Sequence, residues 1–379
     1  MTRLFVDVHV LQTVPPSNIN RDDTGSPKSA VYGGVPRARV SSQAWKRATR
    51  KMFQQLLDPA TLGVRTKRVV ELVAEAMDAI DPAVADRDAV AVEVLKAAGL
   101  KDLEKPKRSK KQPDAAGEQG QEQAKYLVFF SATQIQRLAR LAVESARTGA
   151  VIDKAAARAA ADTGHSVDVA LFGRMIADAA DLNVDAAAQV AHAISVHAVD
   201  TEFDYYTAVD DRVPEDNQGA GMIGLVEFNS STLYRYATVN VEALQANLGD
   251  DTATVRAVET FLNAFVKSMP TGKQNTFANR TLPDAVVISL RTDQPVNLVT
   301  AFEEPVNAAG SARAVVAAKR LVERHQAIER SFGDGTTETF VVATGDGSGE
   351  LGALAEPASF AAVVGAVTAR VESALRARS

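Results

Sequence analysis

The sequence predicts an α+β fold: a βαββαβ sheet domain interrupted by a large helical insertion and carrying a protruding hairpin. Three observations predict it. The chain opens on a strand with period-two alternation, an Ala-rich stretch of helical periodicity follows, and from Gly221 the pattern returns to strands and an amphipathic helix. Its 379 residues suit one elaborated domain or two, and 46% hydrophobic residues supply a substantial core.

Taken in order, Leu4, Val6, Val8 and Val10 alternate with Arg3, Asp7 and His9, which is strand periodicity. A long loop over 18–36 follows, with Gly33-Gly34 as a permissive turn. Ser41-Ser42-Gln43 reads as a helix start. In the helix that follows, Trp45, Ala48, Met52, Phe53 and Leu56 share one face, and Lys46, Arg47, Arg50 and Lys51 the other.

The stretch 65–200 is mainly helical, with helices expected over 69–80, 89–100, 132–146, 167–176 and 185–199. Inside it, 101–125 is polar and carries Pro and Gly, so it is expected to be a mobile loop. GLVEF, NSST and LYRYATVNV read as strand, turn and strand. Asp251 caps a helix with Val255, Val258, Phe261, Leu262, Phe265 and Val266 at helical spacing, and a strand over 285–291 closes the set. With the insertion removed, the order is strand, helix, strand, strand, helix, strand, the ferredoxin-like or RRM-like split order. A helix over 312–330, a strand over 337–344 and a helix over 357–378 are added. The expected divisions are 1–64, 65–200, 201–224 and 225–379.

The chain has no cysteine, which excludes disulfides, thiolate catalysis and Cys-based metal sites. Asp7 and His9 make the N-terminus a poor signal peptide, and no run approaches the roughly 18 apolar residues of a membrane span, so a soluble, cytoplasmic protein is expected.

Charge is the informative asymmetry. The chain carries a formal net charge of -5, yet the window from Pro36 to Lys51 holds Arg37, Arg39, Lys46, Arg47, Arg50 and Lys51 and no acid. Several cations on one face bind phosphates by releasing counterions, and a helix N-terminus such as Ser41-Ser42-Gln43 favours anions. A solvated cationic face is the bland alternative, and the flanking Arg37 and Arg39 favour a polyanion site. Arg21 and Lys28 add cations in the preceding loop. Asp22 and Asp23 are weak as a metal pair, since neighbours on an extended chain point apart, and a turn with Asx bonding is preferred.

Other constellations carry less. His192 and His197 are five apart, not the i, i+4 spacing of a helical two-His site, so with Asp200, Asp204, Asp210 and Asp211 they read as ordinary surface polar residues. No GxSxG, HExxH, Walker or GxGxxG pattern stands in usable context, and no cofactor is expected. The segment 202–227 has the shape of a protruding hairpin with Phe203, Tyr205 and Tyr206 at its base. Those rings either stack on bases or pack in the core.

VHVLQTVPPSNINRDD (8–23), YGG (32–34), RARVSSQAWKRATRK (37–51), LFGRM (171–175), AQVAHAISVHAVDTEFDYYTAVDD (188–211), LVEFNSSTLYRYATVNV (225–241) and PTGKQNTF (270–277) together resemble the CasC-type backbone subunit of the type I-E CRISPR surveillance complex, Cascade. The resemblance implies a right-hand shape: an RRM-like palm, helical fingers over 65–200 and a thumb hairpin over 201–224. It implies a non-catalytic scaffold whose copies line up head to tail along a CRISPR RNA (crRNA). They kink it at intervals and leave the intervening bases open to target DNA. Partners implied are the crRNA, the target DNA strand, further copies, the CasA, CasB, CasD and CasE types of subunit and a recruited helicase–nuclease, with no membrane. Arg21, Lys28, Ser41, Gln43, Lys46 and Arg50 match the RNA-backbone contacts. Met175, and Tyr205, Tyr206 and Thr207 of the thumb, match the wedge at the kinked base, and Arg174 beside Met175 is a further candidate RNA contact. Charge alone adds Arg37, Arg39, Arg47 and Lys51.

Two rivals belong to other classes. One is an RRM-like ribonuclease cutting target RNA with Asp22 or Asp23. The other is a ferredoxin-like enzyme whose basic helix binds a small phosphorylated ligand.

Overall fold

The N-terminal alternation becomes a strand, Phe5–Ser17, in a computed structural model that describes residues 3–58, 61–105, 121–177, 179–208, 222–345 and 348–378. The chain divides into two units, one made of Met1–Met52, Gln189–Glu242 and Val255–Ser379, the other of Phe53–Ala188 and Ala243–Thr254.

The first unit is built on an antiparallel sheet. Its strands run in the spatial order Glu338–Ala343, Ala285–Arg291, Phe5–Ser17, Met222–Asn240, Ala193–Ser195, Val35–Val40, Ser29–Tyr32. The second to fifth of these are the fourth, first, third and second strands of a βαββαβ domain. Helices Ser42–Leu56 and Asp251–Lys267 are its two crossovers. The expected α+β, ferredoxin-like order is therefore borne out.

Two of its strands differ from expectation. The segment 185–199 was expected to be a helix and instead holds the short strands Ala188–Val190 and Ala193–Ser195. Ile194 pairs with both Tyr234 and Arg39, and Ala193, Ile194 and Ser195 are all buried between their neighbours. Ladder pairing on both edges overrides the helix propensity of alanine. The expected hairpin at GLVEF-NSST-LYRYATVNV is one strand of 19 residues, Met222–Asn240. Its first part pairs with Glu202–Ala208 and the rest with Phe5–Ser17. Asn229 pairs with Ser17 and Ser231 with Val14, across a register shift at Pro15-Pro16. These turn-type residues thus mark where the strand changes partner.

The loop expected over 18–36 is partly a hairpin, Ser29–Tyr32 with Val35–Val40. Its turn residues Gly33 and Gly34 have φ of +61° and +79°, as a two-residue hairpin turn requires. A Cβ on Gly33 would lie 1.6 Å from the carbonyl oxygen of Glu303.

Alternation gives the sheet two faces. Val6, Val8 and Val10 lie on one, opposite Val239, Ala237 and Arg235. Asp7, His9 and Leu11 lie on the other, opposite Thr238, Tyr236 and Tyr234. That second face is where RRM domains stack bases on aromatic rings. Here it is buried: Leu11, Tyr234, Tyr236 and Val287 pack with Leu298, Phe302, Ala317, Ala318 and Leu321 of the segment 298–302 and the helix Arg313–Phe332.

The second unit packs helices Val69–Ile80, Arg87–Ala98, Ala132–Thr148 and Lys154–Asp162 around Val70, Val73, Met77, Val94, Leu95, Phe130, Leu138 and Ala142. Three of these were legible. Lys154–Asp162 was missed because it buries only Ala157, Ala160 and Ala161, so no large apolar residue marks its face. The helix expected over 167–176 ends at Phe172, where Gly173 takes φ +76°. The flanks of 101–125 pair as Leu103–Glu104 with Gln123–Ala124, and residues 106–120 lie outside the described residues. Among the described residues no helix is long and apolar enough to cross a membrane.

Candidate nucleic-acid interface

The basic helix Ser42–Leu56 is mounted on the sheet through Trp45, which packs with Val14, Val40 and Leu233. Ala48 and Thr49 are also buried, and Arg47 and Lys51 are exposed. Lys46 and Arg50 are half-buried, and burial lowers the Lys46 pKa. The mount is held from below by Arg235, whose guanidinium lies against the Trp45 ring. Ser41 is buried, and its hydroxyl accepts from the Ala44 amide at 3.3 Å, the cap expected of a Ser at this position. The Ser41 amide donates to Asn20 Oδ1 at 2.8 Å, which ties the helix start to the loop before it.

That loop is itself tied down. Lys28 N–H donates to Asn20 O and Arg39 N–H to Lys28 O, each at 2.9 Å. Arg21 is exposed. Asp22 Oδ1 accepts from Thr24 N–H at 2.9 Å, Thr24 Oγ1 at 2.7 Å and Ser26 N–H at 3.0 Å, an Asx turn in which the Thr24 hydroxyl is the main cause of a lowered carboxyl pKa. Arg39 Nε donates to Ser29 O at 3.1 Å. The structure thus brings together the loop cations, the helix start with exposed Gln43, and the helix cations on one framework within the first unit.

Two expected contacts are corrected. Arg37 is fully buried: its Nε donates to Tyr32 O at 3.1 Å, Nη1 to Ser195 O at 2.9 Å, and Nη2 to Phe302 O at 2.8 Å and Glu303 O at 3.0 Å. It ties the hairpin to 302–303 and presents no charge to a ligand. Arg174 is also buried, with Nε on Leu182 O at 2.7 Å, Nη1 on Ala161 O at 3.0 Å, and its guanidinium 5.1 Å from the Phe130 ring centroid. Burial pulls its pKa down to about 10, so it stays charged while holding the second unit's core together.

The aromatic question left open by the sequence is answered. Tyr205 is 63% exposed and Phe203 61%, so neither ring is a core residue; Thr207 is exposed as well. Tyr206, 40% exposed, lies across its cross-strand partner Gly224, where a Cβ would come within 2.2 Å of the ring. Met175 in the second unit is 80% exposed beside the buried Arg174.

Sequence reasoning missed Asn20, Arg235 and the placement of His192. A charged residue on the apolar face of LYRY was the only signal for Arg235. Among the described residues no group of three or more His, Cys, Asp or Glu is arranged to hold a metal ion, and Asp210 and Asp211 lie outside the described residues.

The model of the CT1975-like protein family matches residues 6–365. A chain of a solved "CRISPR RNA-guided surveillance complex, pre-nicking" is similar, with 33% identity, a TM-score of 0.83, and 97% of this chain and 100% of that one covered. A chain of a second "CRISPR RNA-guided surveillance complex" shows 29% identity and a TM-score of 0.74, over 97% of this chain and 99% of that one. No curated protein matches. The resemblance drawn from the sequence motifs is borne out at the level of family and fold: the chain belongs to the CT1975-like protein family.

Proposed function

We propose that the chain is a non-catalytic, crRNA-binding backbone subunit of a type I-E Cascade complex, whose copies assemble head to tail along the guide and present it to target DNA. The observation that carries this reading is the row of cations Arg21, Lys28, Arg39, Lys46, Arg47 and Arg50, with the polar Gln43 among them, whose stretch 36–51 holds no acid on a protein whose net charge is -5. Cations and short polar donors on a fixed helix suit a sugar–phosphate strand and carry no base readout, as a guide-presenting protein needs. The buried sheet face supports the same division of labour, because it removes the ring platform an RRM uses to read bases. In the first unit the exposed rings of Tyr205 and Tyr206 are suited to stack on a displaced base, and in the second unit the exposed Met175 offers an apolar contact of its own. As such a subunit it works in the cytoplasm with the other Cascade subunit types and a recruited helicase–nuclease.

The Asx turn around Asp22 serves the loop's shape and lends no support to the ribonuclease reading. The test is co-purification and titration. Affinity for single-stranded RNA should grow with RNA length and fall steeply with salt, with ordered arrays forming on long RNA. Material that is free of RNA and binds none overturns the reading. So does regular, magnesium-dependent cutting of complementary RNA by the assembled complex.

A further inference from the structure

His192 precedes the short strand Ala193–Ser195 and stands exposed at the start of the basic helix. Its Nδ1 lies 3.4 Å from Arg39 Nη1 and 3.3 Å from the amide nitrogen of Ser42. Both neighbours are donors that cannot accept, so Nδ1 must be the bare, accepting nitrogen. The ring proton then sits on Nε2, which meets no hydrogen-bond partner among the described residues. The charges acting on the ring are Arg39 from the neighbouring strand and Lys28 from the loop, and the amide end of the basic helix adds partial positive charge. Partial burial first, then Arg39 and Lys28, lower the pKa of His192.

Such a ring is neutral in the free protein and surrounded by cations meant for an anion. A phosphate docked among Lys28, Arg39 and the helix start would cancel those charges, take the Nε2–H and favour a second proton on the ring. Resting on the RNA-binding reading above, we propose that His192 is a further RNA-backbone contact of this interface and that the protein takes up a proton there when RNA binds.

The other four histidines, His9, His165, His197 and His325, are buried or half-buried, so an RNA-linked titration near neutrality should belong to His192. The experiment measures binding of the full chain to fluorescein-labelled polyuridine RNA, whose bases do not gain protons in this range, at pH 6 and pH 8 and constant ionic strength. One linked proton changes affinity by at most about tenfold per pH unit, and about fivefold tightening toward pH 6 is expected. His192→Asn keeps an acceptor for Arg39 and Ser42 and cannot gain a proton. Having lost the Nε2–H, it should bind more weakly than the wild type at pH 8 and show no tightening at pH 6. In the wild type, nitrogen-15 spectra of the histidine rings should show an exposed ring whose pKa rises on adding RNA, a readout that needs no variant. An equal pH response in wild type and variant, or an exposed ring whose titration RNA does not move, overturns the proposal and leaves the RNA-binding reading standing. Failure of the wild type to bind at either pH overturns both.

Discussion

The guanidinium carbon of Arg235 sits 3.7 Å from the centroid of the Trp45 ring, joining the third strand of the βαββαβ sheet to the basic helix. Its Nη1 donates to Gln12 Oε1 at 2.5 Å, its Nη2 donates to Phe265 O, and the Phe265 ring lies 4.7 Å away. Burial pulls its pKa down to about 9, so it remains a cation at neutral pH. A cation held between two rings fixes the helix without adding a charge to the surface.

Arg235→Ala should therefore be among the most damaging substitutions in the first unit. It leaves Gln12 and the Phe265 carbonyl without a donor and opens space under Trp45, at a cost of about 3–5 kcal/mol measured by urea unfolding. Arg235→Lys should recover less than half of that, because a lysine has neither the planar fork nor the stacking face. Full recovery by lysine would mean that charge alone matters there.

The helix cations should act on binding and not on folding. Lys46→Ala with Arg50→Ala removes two phosphate partners. The slope of log affinity against log salt for single-stranded RNA should fall in magnitude by about 1.4, with little change in melting temperature. An unchanged slope would remove the helix from the interface.

Arg37 should behave in the opposite way. Its guanidinium holds four carbonyl oxygens, of Tyr32, Ser195, Phe302 and Glu303. Arg37→Ala is expected to destabilise the chain by about 2–4 kcal/mol in denaturant titrations, whereas Arg21→Ala, at an exposed position, should change stability by under about 0.5 kcal/mol.

Acid should loosen the packing at the start of the helix Arg313–Phe332. His197 Nδ1 donates to Ala198 O at 2.8 Å, while Nε2 accepts from Thr232 N–H and Arg313 Nη1, each at 3.1 Å. Burial, followed by Arg313 and Arg37, lowers its pKa to about 4. A histidine whose folded pKa is depressed contributes stability that is present above its unfolded pKa and lost as pH falls. The window here runs from about 6.5 down to about 4, with roughly 3 kcal/mol at stake. His197→Gln keeps an acceptor for Thr232 and cannot titrate, so its unfolding free energy should fall less steeply over that range. Parallel curves for the two proteins would rule out His197 as the acid-sensitive group.

Where local signals agreed with the fold, the elements were legible. The strand Ala285–Arg291 and the helix Val69–Ile80 match their expected ranges, because unbroken β-branched runs and a 3.6-residue stripe are properties of the segment itself. The candidate site was legible in its charge and not in its exposure. Lys28, Arg39, Gln43, Lys46, Arg47 and Arg50 lie along one framework, while Arg37 and Arg174 are structural cations. Neither the strand at Ala193–Ser195 nor the continuity of Met222–Asn240 could be read, since both depend on partner strands far away in the chain.

By itself, the order of residues determined the α+β class, the helical insertion and an acid-free basic window on an acidic chain, because periodicity and charge are local and survive without a partner. Only the tertiary structure decided which cations reach solvent. Arg37 and Arg39 are two apart on one strand and share a face, yet 302–303 covers the first and leaves the second half-exposed beside His192. Alternation reports the side of a sheet on which a residue lies, and coverage of that side is set by a segment more than 250 residues further along the chain.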